Sequence, residues 1–246
     1  QQTFDFPQEE FHTDNNNLFF HDIDMKELVA QYGAPLKFTY LPKISENINK
    51  AKKWFENSIN RYNYKGKYHY SYCTKSSHFK YILEEALKND IHIETSSAFD
   101  LDIIKKLKDA KKIQNSNYIL CNGFKRDEYI TKIADLINQG HQNCIPILDN
   151  YEELPLIQSR TVHKFKVGVR IASEEEPKFE FYTSRLGIGY KNIVSFYQRE
   201  IENNEQVELK MLHFFINTGI KDNAYYWNEL LKCLSVYIKL KKVCPT

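Results

Sequence analysis

No stretch of this 246-residue chain is long or apolar enough to span a bilayer, which sets aside a protein built on membrane-crossing helices. Glycine is scarce at eight residues, and neither a P-loop nor a GxGxxG turn is present, so nucleotides are not indicated. Cysteine occurs at Cys73, Cys121, Cys144, Cys233 and Cys244, an odd set without a CxxC pair. That usage points to buried, reduced thiols in a cytosolic protein instead of a disulfide framework. His, Cys, Asp and Glu nowhere fall at zinc-like spacing, and no metal is expected. An excess of one charge is lacking too. The chain has 34 Lys and Arg against 32 Asp and Glu, interleaved along helices, which gives nucleic-acid binding no support. The first thirty residues are acidic and polar, unlike a signal peptide, and a soluble, cytoplasmic protein is the expectation.

What is present is enough apolar material for a sizeable core, 42% hydrophobic and 14% aromatic, in a length usual for one (β/α) barrel. Short strand-like runs alternate with longer helical patterns. Strands are expected at Leu36 to Leu41, Tyr68 to Thr74, Ile91 to Glu94, Tyr118 to Cys121, Cys144 to Leu148, Lys166 to Ile171 and Leu209 to Ile216. Helices are expected near Ile44 to Ile59, Phe79 to Asn89, Phe99 to Asp109, Arg126 to Asn138, Tyr151 to Gln158 and Asn223 to Leu240. Ser45 and Asn150 stand where N-caps belong and Gly140 where a helix should stop. This rhythm implies a parallel sheet, and a barrel is its best closed form. Ser173 to Tyr190 is the least regular segment, and residues 1–17 read as an N-terminal arm before a barrel domain over 18–246. Seven countable strands would leave two unpaired edges, so the barrel is expected to be incomplete in this chain, with residues missing beyond Thr246.

Lys75 is the residue best placed for chemistry. It follows the strand-like run Tyr68 to Thr74 and precedes a helix, the position at which a barrel presents a lysine for Schiff-base chemistry. A solvated lysine at a strand end is the bland alternative, and the context around Lys75 decides between them. Glu94 closes the next strand, and Ser97 and Asp100 open the helix after it, where an N-cap role for Ser97 is as good as a site contact. Arg170 lies within an otherwise apolar strand and needs an acidic or phenolic partner. His213 and Phe215, two apart on one strand, share a face, with Phe214 on the other.

Taken together these blocks resemble the pyridoxal-phosphate-dependent decarboxylases built on an alanine-racemase-like barrel. Leu28-Val29-Ala30-Gln31-Tyr32-Gly33-Ala34-Pro35-Leu36 is similar to the approach to the first strand in diaminopimelate decarboxylases. Tyr70-Ser71-Tyr72-Cys73-Thr74-Lys75 is similar to the strand ending in the cofactor lysine, and Ile93-Glu94-Thr95-Ser96-Ser97 to the following block. Val167-Gly168-Val169-Arg170-Ile171 resembles the arginine-bearing strand, Ser184-Arg185-Leu186-Gly187-Ile188 the basic, apolar, glycine turn, and Leu212 to Gly219 the histidine-rich strand against the cofactor. The blocks cover nearly the whole chain in the right order, and the overall flavour is that of arginine decarboxylases.

The resemblance implies a (β/α)8 TIM barrel, pyridoxal phosphate on Lys75, and Glu94, Ser97, Arg170, His213, Phe215 and Thr218 around it. It implies decarboxylation of a basic amino acid, arginine to agmatine first and diaminopimelate or ornithine as alternatives, in a homodimer. Phe215 stands where the family has a stacking histidine and can stack but not donate a hydrogen bond. Asn217 replaces a small glycine beside the phosphate. The glycine-rich phosphate loop, the acidic partner of the pyridine nitrogen and the C-terminal β domain would lie beyond Thr246, so this chain alone is not expected to be a complete enzyme. A cofactor-free regulatory or binding homologue is the alternative of another class, favoured by Phe215 and Asn217.

Overall fold

A computed structural model describes residues 10–172, 186–215 and 223–244, and divides the chain into two units, residues 1–40 and 41–246. The first unit is a three-stranded antiparallel sheet, β1 (Phe11–Asp14), β2 (Asn17–Phe20) and β3 (Ile23–Asp24), followed by helix α1 (Met25–Tyr32). Asn15 and Asn16 both take positive φ, 43° and 65°, and this lets two residues reverse the chain between β1 and β2. Asp24 caps α1, its Oδ1 accepting from the backbone N–H of Lys26 at 2.7 Å. The expected arm over residues 1–17 thus runs into a sheet, since β1 and its turn lie inside it. The expected strand Leu36 to Leu41 does not form. Pro35 and Pro42 bracket it, and Phe38 and Tyr40 instead pack edge-on against Phe20, with ring centroids 5.2 and 5.3 Å away.

The second unit opens with α2 (Pro42–Arg61) and continues as a βα succession. Its strands are β4 (Ser71–Cys73), β5 (His92–Thr95), β6 (Ile119–Cys121), β7 (Cys144–Leu148), β8 (Phe165–Ile171) and β9 (Val207–Phe214). They form one six-stranded sheet in that order, every pair parallel. Between them lie α3 (Lys80–Leu87), α4 (Ala98–Asp109), α5 (Asp127–Asn138), α6 (Glu153–Gln158) and α7 (Ile193–Glu200), and α8 (Asn223–Val243) follows β9. Six parallel strands stand where seven were expected, a partial (β/α) barrel. Helix α7 is the one helix of this unit without a counterpart among the expected elements. Ile193, Phe196 and Tyr197 form its buried face, an amphipathic signal only eight residues long.

Strand alternation divides the apolar residues between two layers. Ile93, Ile119, Cys121, Cys144, Val167 and Val169 pack outward against the helices. Leu120, Ile145 and Ile147 form a separate inner cluster with Tyr118 and Met211. Gly168 belongs to that inner layer, and a Cβ there would collide with the end of the Ile147 side chain. Each of these buried aliphatic side chains contributes roughly 1.5–3 kcal/mol of transfer free energy. Asn150 caps as expected, its Oδ1 accepting from the N–H of Glu152 at 2.9 Å and of Glu153 at 3.1 Å. Gly140 follows α5 with φ +86°. Ser45 is not a cap, because α2 starts three residues earlier at Pro42; its hydroxyl donates to Glu85 and accepts from Asn89 at 2.9 Å.

Candidate active site

The inner-layer parity delivers polar residues to the C-terminal ends of the strands, the end of such sheets where chemistry is placed. Glu94 on β5, Asn122 just past β6, Asp149 just past β7, Arg170 on β8 and His213 on β9 form two linked sets. In the first, the Asn122 amide is oriented by Gly123, whose N–H donates to Asn122 Oδ1 at 2.8 Å. Its Nδ2 is thereby turned to donate to Glu94 Oε1 at 2.9 Å and to His213 Nε2 at 3.4 Å. Glu94 also has the Cys73 thiol 3.9 Å from the same oxygen. Burial pushes that thiol's pKa up.

His213 accepts through Nε2, so its neutral tautomer carries the proton on Nδ1, and Nδ1 is buried without a hydrogen-bond partner. Burial, and then the nearby positive charges of Arg170 and Lys125, lower its pKa to about 4. The imidazole is therefore neutral at pH 7 and presents a donor without adding charge.

The second set is ionic. Arg170 NH1 lies 3.7 Å from Asp149 Oδ1, and the guanidinium sits over the Phe215 ring, 5.4 Å from its centroid. Lys125, fully buried, donates to Glu153 Oε2 at 3.0 Å, to Gly123 O at 3.0 Å and to Ile147 O, and its Nζ stands 3.6 Å from Asp149 Oδ2. Burial raises the pKa of Glu153, with Lys125 opposing that shift. Among the described residues Arg170 Nε and both Asp149 oxygens have no hydrogen-bond partner, like His213 Nδ1. Unpartnered buried polar atoms are rare, and a group of them around one mouth marks a place for a polar ligand.

Lys75 is exposed one residue beyond Thr74, whose N–H and hydroxyl both bond Glu94 O, at 2.9 and 3.2 Å. Its ammonium has no ion-pair or hydrogen-bond partner among the described residues and does not pair with Glu94. It lines a cavity of about 580 Å³ with His78, Ser96, Ser97, Ile103 and Lys106. Ser97 is the N-cap of α4, accepting from the N–H of Asp100 at 3.4 Å, while Asp100 accepts from the N–H of Ser96 at 2.8 Å. The structure thus brings Glu94, Arg170, His213 and Phe215 together, while Lys75 and Ser97 line a cavity with residues of α4 and are not in contact with that group. Thr218 lies outside the described residues, as do Ser184 and Arg185. Sequence reasoning missed Asn122, Lys125, Asp149 and Glu153. The signal for Asn122 and Asp149 was their position immediately after a strand. Among the described residues no three His, Cys, Asp or Glu side chains are placed to hold a metal ion.

Over 244 residues the chain is 25% identical to biosynthetic arginine decarboxylase 2 of Synechocystis sp., covering 90% of this chain and 37% of that protein. Its sequence homologues are amino-acid decarboxylases. No family model matches. The diaminopimelate decarboxylase of M. jannaschii superposes with a TM-score of 0.78 at 20% identity, over 95% of this chain and 54% of that one. The biosynthetic arginine decarboxylase of Campylobacter jejuni does so with a TM-score of 0.71 at 18% identity, over 96% and 40%. An SrLDC variant solved in complex with PLP gives 0.63 at 17% identity, over 88% and 51%. The fold is that of the alanine racemase-like decarboxylases, and the chain spans little more than a third of the curated relative's length and about half of the first solved one.

Proposed function

We propose that this chain carries the lysine-bearing part of the active site of a pyridoxal-phosphate-dependent decarboxylase acting on a basic amino acid, arginine being the first substrate to test. The observation that carries the reading is that Arg170 Nε and His213 Nδ1 are buried without a hydrogen-bond partner among the described residues, at the same C-terminal strand ends that Lys75 follows. The donor set fits the cofactor. Arg170 Nε and His213 Nδ1 offer N–H donors to its oxygens, Phe215 offers a ring edge and face, and Lys75 offers the amine that would hold it covalently. Thr218 is proposed to give its hydroxyl to the phosphate.

Bound pyridoxal phosphate supplies the electron sink for the pair left behind when carbon dioxide departs. The chain's own residues set the conditions for that step. Asn122 holds the Glu94 carboxyl and the His213 ring in one orientation, so the neutral Nδ1–H donor points to a single place. Arg170 brings a permanent positive charge to an otherwise apolar strand, where it favours an anionic oxygen. Beneath these residues the inner face of the sheet is apolar, with Leu120, Ile145 and Ile147 packed against Met211. A homodimer working in the cytoplasm on polyamine synthesis belongs to the same proposal and is supported by the family resemblance. The names of the relatives favour arginine, while the diaminopimelate decarboxylase neighbours make that substrate the second to test.

The test is the absorbance of the full-length polypeptide with pyridoxal phosphate, before and after borohydride, beside Lys75→Ala. The expected result is cofactor fixed by borohydride on Lys75 and none fixed in the variant, followed by carbon dioxide release from one of arginine, diaminopimelate or ornithine. A folded protein that fixes no cofactor overturns the reading in favour of a cofactor-free binding homologue, for which Phe215 beneath the Arg170 guanidinium is the supporting observation.

A further inference from the structure

Arg170 has a task that a flexible side chain performs poorly. To meet a ligand oxygen its guanidinium must be held in one place, and a free arginine loses rotamer entropy on being fixed. The structure contains the parts of a fixture. On one side lies the Phe215 ring at 5.4 Å, and at the end of the fork lies Asp149 at 3.7 Å, leaving Nε unpartnered. Asp149 is itself completely buried and accepts no side-chain hydrogen bond, so its environment is purely ionic, with Lys125 on one flank and Arg170 on the other.

The backbone of Asp149 is fastened from both directions. Its N–H donates to Glu153 Oε2 at 2.9 Å, and its carbonyl accepts from the N–H of Gly187 at 2.8 Å. Glu153 also takes a direct hydrogen bond from Lys125, whose remaining bonds go to the Gly123 and Ile147 carbonyls. Lys125 is hydrogen-bonded to Glu153 and keeps only a longer 3.6 Å contact with Asp149 Oδ2, so the other carboxylate oxygen of Asp149, Oδ1, faces Arg170 at 3.7 Å. Such a carboxylate has no reason to touch a ligand, but it decides where the guanidinium points.

We propose that Asp149 is a positioning residue that aims Arg170 into the site, with Lys125 and Glu153 as the bracket that keeps it aimed. The proposal rests on the pyridoxal-phosphate reading for what Arg170 meets, and its first measurement is independent of that reading. In the full-length protein without cofactor, the side-chain Nε–H signal of Arg170 is followed by ¹⁵N nuclear magnetic resonance in the wild type and in Asp149→Asn. The signal should be resolved and slow to exchange in the wild type and broadened in the variant. The second measurement is the affinity for pyridoxal phosphate in the wild type, Asp149→Asn, Arg170→Gln and the double variant. Asp149→Asn should weaken binding by about tenfold, and the double variant should bind no worse than Arg170→Gln alone.

An Arg170 signal unchanged by Asp149→Asn overturns the proposal, as does the same tenfold loss from Asp149→Asn in the Arg170→Gln background, because a merely structural carboxylate would act regardless of Arg170. If Asp149→Asn does not fold, Asp149→Glu keeps the charge and lengthens the arm; a loss of Arg170 order there supports the proposal, and its absence overturns it. If the wild type binds no cofactor, the functional reading falls, and the Arg170 signal still decides the role of Asp149.

Discussion

His213 is the residue whose environment makes the sharpest statement about pH. Its ordinary value is near 6.5, and burial beside Arg170 and Lys125 lowers it to about 4. Between those values the unfolded chain binds a proton at this position and the folded chain does not, so stability rises with pH through that window. Folding stability should therefore be fully present above pH 6.5 and fall as the pH is lowered toward 4. His213→Gln should remove part of that slope in a series of urea melts, and an unchanged slope would mean another group is responsible. Asn122 is the second test at this scale. Asn122→Ala leaves Glu94 and His213 without their shared donor and should lower stability by about 1–3 kcal/mol, read by denaturant unfolding. That Lys75 follows a strand and that Glu94, Arg170 and His213 lie toward strand ends was legible in the sequence, because each has its own local signature. Asn122 and Asp149 were passed over because their significance lies in partners on other strands.

At the level of elements, the turn Leu186-Gly187-Ile188 is the clip that joins the ends of β7 and β8. Gly187 donates to Asp149 O, Ile188 donates to Arg170 O at 2.7 Å and accepts from Ala172 N–H at 3.0 Å, and Ile188 forms a parallel bridge with Ile171. Gly187 has φ +105°, and a Cβ there would lie 2.6 Å from the Ala172 nitrogen. Gly187→Ala should therefore destabilise by about 1–3 kcal/mol or more, measured as a fall in melting temperature, and should loosen Arg170 as well. The sequence marked this turn through its glycine, yet the two strands it joins became visible only with the sheet. Six helices were found within a few residues because their apolar period is local, whereas α1 and α7, each eight residues long, had no counterpart among the expected elements. The strand expected at Leu36 to Leu41 failed because a strand needs a hydrogen-bonding neighbour, and its apolar alternation alone could not say that Phe20 would claim Phe38 and Tyr40.

For the molecule as a whole, the buried charges weigh more than the near-zero net charge. Lys125→Met would leave Glu153 and Asp149 buried with only Arg170 in compensation, and should lower stability by about 3–5 kcal/mol in equilibrium unfolding. A loss below 1 kcal/mol would show that the bracket is open to water. Order within the sheet sets a second expectation. Strands β6 and β7 lie in the middle with their residues fully buried, and β4 is at one end with only partly buried residues. In this chain, hydrogen exchange should be slowest at β6 and β7 and fastest at β4.

The sequence by itself determined the alternation of strands and helices, the parallel character of the sheet and the position of Lys75 after a strand, since periodicity and turn residues act over a few neighbours. It also placed His213 and Phe215 on one face, because side chains alternate along any strand. Only the tertiary structure decided that Asn122 would reach His213 across 91 residues, that Lys125 would hydrogen-bond Glu153, and that Asp149 would stand between Lys125 and Arg170. Charge pairing inside a barrel depends on the register of strands far apart in the chain, and register is settled by packing the inner and outer layers together.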